Sequence, residues 1–87
     1  MSKILIIEDE PYERNELQAE ISAVYGQTMV KVAETVEEAI DVIAVWKPDL
    51  ILLDIRLKGK SGLEVARYVR KQRLRTEIII VTAYNEF

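Results

Sequence analysis

The chain has 87 residues, enough for one small domain, taken here as 1–87. With 49% hydrophobic and 31% charged residues it suits a globular fold, and its net charge of −3 gives no surface for nucleic acid. It contains no Cys and no His, which excludes disulfides, thiolate and imidazole metal sites, and the commonest general base.

Lys3–Ile7 is apolar on both faces and predicts a central parallel strand. It ends in the acids Glu8, Asp9 and Glu10, and Pro11 then suits the first position of a helix. Asp9 or Glu10 is placed to cap that helix, Leu17, Ile21 and Val24 give its apolar stripe, and Gly26 ends it. Residues 28–33 predict a second strand, with Lys31 marking an edge. Thr35 and Glu38 form a capping-box pattern ahead of a helix with a stripe of Val36, Ala39, Ile40, Ile43 and Ala44, closed by Trp46 and Pro48.

Leu50–Leu53 is a wholly apolar run ending at Asp54, followed by a turn-rich loop with Gly59 and Gly62. It predicts a strand buried on both faces. Ser61 with Glu64 repeats the capping-box pattern, and Leu63, Ala66 and Val69 predict the buried stripe of a third helix. Arg67, Arg70, Lys71, Arg73 and Arg75 read as a solvated basic face that complements the helix dipole. Residues 77–82 predict a fourth strand buried on both faces. Strand and helix alternate throughout, which argues for an α/β fold with right-handed crossovers and a parallel sheet.

In such a sheet the C-terminal ends of the strands lie on one edge, the usual ligand edge. Glu8 and Asp9, Asp54 and Thr82 would converge there if their strands are neighbours. Packed carboxylates repel one another unless a cation binds, and hard oxygen donors without His or Cys suit Mg²⁺. The set predicts metal-assisted phosphoryl transfer, with a carboxylate available as nucleophile and the Thr82 hydroxyl available to a phosphoryl oxygen. Each residue also has a plainer reading: a helix-capping acid, the polar end of a strand, an ordinary turn. The chain has neither G-x-G-x-x-G nor G-x-x-x-x-G-K-[ST], which removes the dinucleotide and P-loop readings. Asp54-Ile55-Arg56 also lacks the second Asp of a haloacid-dehalogenase-like phosphatase.

Residues 4–10, Pro48–Ile55, Gly59–Glu64 and Ile78–Ala83 together resemble the receiver domain of two-component response regulators. The resemblance implies a flavodoxin-like, doubly wound sheet of order 2-1-3-4-5, with Asp54 accepting a phosphoryl group from a sensor histidine kinase. It implies Asp9 as direct Mg²⁺ ligand, Glu8 acting largely through water, and the Arg56 carbonyl completing the protein's share with Asp54. Thr82 and the Ala83 amide would hold the phosphoryl group, and Tyr84 would influence access. The run 82–87 is similar to that of regulators carrying helix-turn-helix output domains.

The chain departs from the pattern at Lys58, where many members have Pro, and it stops at Phe87. Relative to the family pattern the fifth strand and last two helices are missing, and with them the lysine that pairs with the phosphoryl group. The expectation is therefore an order of 2-1-3-4, impaired phosphorylation, and a fourth strand left as an exposed edge that drives homo-oligomer formation. A receiver-derived fragment that self-assembles without signalling is the alternative; an unrelated small metal-dependent phosphotransferase is a third reading. The receiver is not expected to be an enzyme beyond its own phosphorylation. The expected location is cytoplasmic, with no membrane or nucleic acid partner.

Overall fold

The computed structural model describes residues 2–26, 29–54 and 62–81. Four strands and three helices alternate: β1 (Ile4–Ile7), α1 (Pro11–Tyr25), β2 (Val30–Ala33), α2 (Val36–Trp46), β3 (Leu50–Leu53), α3 (Leu63–Lys71) and β4 (Glu77–Ile80). All strand pairs are parallel, in the order β2-β1-β3-β4. This is the doubly wound, flavodoxin-like arrangement that the resemblance implies.

The period of two along each strand divides the core. Leu5, Ile7, Ile51 and Leu53 point to one face, where Val36, Ala39 and Ile43 of α2 and Val65 and Val69 of α3 bury them. Ile4, Ile6, Val30 and Leu52 point to the other, against Leu17 and Ile21 of α1. β1 is fully buried because it lies between two strands and under helices on both faces.

Local signals set most helix ends. Thr35 Oγ1 accepts from the Glu38 amide at 3.0 Å, as its capping box requires. The return bond runs to a different residue: Glu38 Oε1 accepts from the Glu34 amide at 2.7 Å. Gly26 ends α1 at φ 91°, a conformation that a side chain would strain. Trp46 at the end of α2 packs on the core, with the ammonium groups of Lys31 and Lys3 at 5.2 and 5.9 Å from its ring centre.

Four local expectations are corrected. β4 is not buried on both faces: Ile79 and Ile80 are 52% and 53% exposed, and among the described residues the strand pairs with β3 alone. Val24 is exposed and no residue of α1 is fully buried; among the described residues this one helix covers its face of the sheet, over β1 and β2. In α3 the buried pair is Val65 and Val69, with Leu63 exposed. In α2, Ala44 is exposed rather than part of the stripe. The N-cap of α3 is Gly62, with no side-chain cap bond; Ser61, and with it the predicted box with Glu64, lies outside the described residues.

Candidate functional site

The register fixes the rim. Ile7, Leu53 and Ile80 are aligned across β1, β3 and β4. The residue after each strand stays in the ladder: the Glu8 amide donates to the Ala33 carbonyl and the Asp54 amide to the Ile7 carbonyl, both at 3.0 Å, and the Val81 amide donates to the Leu53 carbonyl at 2.8 Å. Glu8 and Asp54 therefore emerge side by side from adjacent strands. Both are buried, at 5% and 3% exposure.

A third carboxylate comes from α1. Oxygen atoms of Glu8, Glu13 and Asp54 all lie within 4.8 Å of one another. Helical side chains tilt toward the N-terminus of their helix, so Glu13, in the first turn of α1, reaches back to the end of β1. That turn is fixed by Glu10, whose Oε1 accepts from the amides of Tyr12 and Glu13 at 2.9 and 3.1 Å. Of the two candidate caps, Glu10 takes the role. Asp9 is half-buried at the end of β1, outside the three-carboxylate group.

Glu8 carries the electrostatic strain of this crowding. Burial raises its carboxyl from 4.5 to about 7; the Glu10 amide, donating to Glu8 Oε1 at 3.1 Å, opposes the rise, while a hydrogen bond with Asp54 and the charges of Asp54 and Glu13 add to it. Arg14 braces the corner. Its Nη1 donates to the Glu8 carbonyl at 3.3 Å, and its Nη2 lies 3.7 Å from Glu34 Oε2, at the end of β2.

The structure thus brings together Glu8 and Asp54 of the expected set and adds Glu13 and Arg14, which the sequence reading missed. The available signal was position: two residues on from a Pro at the first helical position, Glu13 falls in the first turn beside the strand end. Arg56, Thr82 and Ala83 lie outside the described residues. As chemistry, the described part is a compact set of hard oxygen donors with an excess of negative charge, which fits Mg²⁺ and no soft metal.

A family model, curated relatives and solved structures all match this chain over nearly its whole length. Residues 4–87 match the family model of the response regulator receiver domain. The chain is 35% identical over 85 residues to the sensory transduction protein LytR of Staphylococcus haemolyticus, covering 98% of this chain and 33% of the relative. It superposes on the response regulator TrrA of Thermotoga maritima, solved in complex with Mg²⁺-BeF, with a TM-score of 0.85 and 40% identity over 98% of this chain and 72% of that one. TrrA in complex with the histidine kinase ThkA gives 0.82 and 39% identity, covering 100% of this chain and 73% of the other. The chain spans about a third of the length of the curated relatives it matches. Among the described residues no helix is long and apolar enough to cross a membrane.

Proposed function

The chain belongs to the response regulator receiver domain family, and from that membership we propose that Asp54 is its phosphoacceptor in a phosphorelay. An Asp54 carboxylate oxygen attacks the phosphorus of a kinase phosphohistidine. The P–O bond forms as the P–N bond breaks, and the imidazole nitrogen leaves with the electron pair. The observation that carries this reading is Asp54 itself, a buried carboxylate at the sheet's C-terminal rim beside two further acids.

Asp54, Asp9, the Arg56 carbonyl and, through water, Glu8 would hold Mg²⁺. When bound, the ion neutralises charge on the acids and on the transferring phosphoryl oxygens. Glu8 stands against Asp54 and orients its carboxylate. Glu10 and Arg14 fix the α1 turn and the β1 end that carry the acids. Thr82 and the Ala83 amide are proposed to hold the phosphoryl oxygens. The partner is a sensor histidine kinase in the cytoplasm, in line with the solved kinase complex of TrrA.

Incubation with acetyl phosphate and Mg²⁺, followed by intact mass, tests the reading. A gain of one phosphoryl group that is absent in Asp54→Asn supports it. Modification that persists in that variant refutes it.

A second reading rests on β4. Among the described residues β4 is an edge strand, and an edge with Ile79 and Ile80 half-exposed is a template for pairing with another chain. We propose that the 87-residue chain self-associates through this edge, and in that state it serves as a non-signalling assembly.

A further inference from the structure

We propose that Glu13 is an outer acid of the Asp54 cation site, a positioning residue that strengthens divalent cation binding. The inference rests on the receiver reading of that site and extends it to a residue on α1 that the family resemblance does not assign.

Three observations carry it. Glu13 brings a carboxylate oxygen to within 4.8 Å of oxygens of both Glu8 and Asp54, although it comes from a helix and not from a strand end. Its backbone is pinned, because its amide donates to Glu10 Oε1 at 3.1 Å, so the approach is built into the first turn of α1. The neighbouring base does not neutralise it: Arg14 engages the Glu8 carbonyl and the Glu34 carboxylate, and among the described residues no basic side chain pairs with Glu13.

A half-buried carboxylate held against two buried ones has two consequences. It adds attraction for a divalent cation, directly or through a metal-held water, because Coulomb interactions at such range are screened only in part. It also repels a phosphoryl donor, which is itself an anion, so that with no cation bound the approach to Asp54 is opposed. Glu13 thereby makes phosphoryl uptake more strictly dependent on the cation.

The experiment is calorimetric titration of the 87-residue chain with MgCl₂, on wild type and four variants. Glu13→Gln keeps the size and removes the charge; Glu13→Asp keeps the charge and withdraws it by one methylene. Glu16→Gln removes an exposed charge one turn further along α1, and Asp54→Asn tests the site itself. We expect Glu13→Gln to weaken Mg²⁺ binding about five-fold, Glu13→Asp to fall between it and wild type, and Glu16→Gln to leave the affinity unchanged. The thermal shift produced by saturating Mg²⁺ should shrink in the same order. Equal weakening by Glu16→Gln and Glu13→Gln would reduce the effect to net charge and overturn the proposal. Wild-type affinity in Glu13→Gln alongside weakened binding in Asp54→Asn would overturn it and leave the receiver site standing. Absence of binding in wild type, or unchanged binding in Asp54→Asn, would overturn the site reading and this inference with it.

Discussion

Glu8 and Asp54, 46 positions apart in the chain, bring carboxylate oxygens to within 4.8 Å of each other at the ends of adjacent parallel strands, and both are buried. The pair sets a pH dependence. Glu8 has a folded-state pKa of about 7, above its ordinary 4.5, so the folded protein holds a proton that the unfolded chain releases. That contribution to stability is complete below pH 4.5 and is lost as pH rises through about 7. With EDTA present, urea denaturation should show the protein less stable at pH 8 than at pH 5 by about 2 kcal/mol through Glu8. Saturating Mg²⁺ should remove most of that loss, because the cation takes the place of the proton. A cation-free protein whose stability rises between pH 5 and 8 would contradict this assignment.

Asp54→Asn removes one of the crowded charges. Besides blocking phosphoryl uptake, it should stabilise the cation-free protein at pH 8 by about 1 kcal/mol, since like-charge repulsion disappears and the amide can still hydrogen-bond to Glu8. The Mg²⁺-induced rise in melting temperature should fall sharply. Thermal melts with EDTA and with MgCl₂ measure both effects.

The exposed side of β4 predicts association. Ile79→Lys places a charge on an edge residue that is 52% exposed, so it should cost the folded monomer under about 0.5 kcal/mol while opposing strand pairing. Light scattering across a concentration series should show wild type growing in mass and the variant remaining smaller. A wild-type mass that stays monomeric throughout would refute assembly through this edge.

The cap of α2 and the core beneath it differ in scale. Thr35→Ala removes the hydroxyl that accepts from the Glu38 amide and should cost about 1 kcal/mol. Ile43→Ala, in the fully buried centre of the α2 and α3 layer, should cost about 2–5 kcal/mol, a large share of what so small a domain has. Urea denaturation followed by the fluorescence of Trp46, the single tryptophan, reports both.

The apolar runs Lys3–Ile7 and Leu50–Leu53, each closed by an acid, announce strands buried on both faces and place Glu8 and Asp54 at their ends, because strand and helix periods are local properties of the chain. The alternation of elements fixes a parallel sheet, and a parallel sheet puts those ends on one edge; the strand order came from the family resemblance. What periodicity cannot specify is through-space. Whether Asp9 or Glu10 caps α1 depends on the angle at which the chain leaves β1, and both are acids with near-equal claim. The entry of Glu13 into the site depends on the tilt of α1 side chains back toward the strand ends. The runs ending in Leu53 and in Ile80 are equally apolar, yet one strand is buried and the other half-bare. Burial belongs to a strand's neighbours: β3 lies between β1 and β4, while among the described residues β4 has a partner on one side.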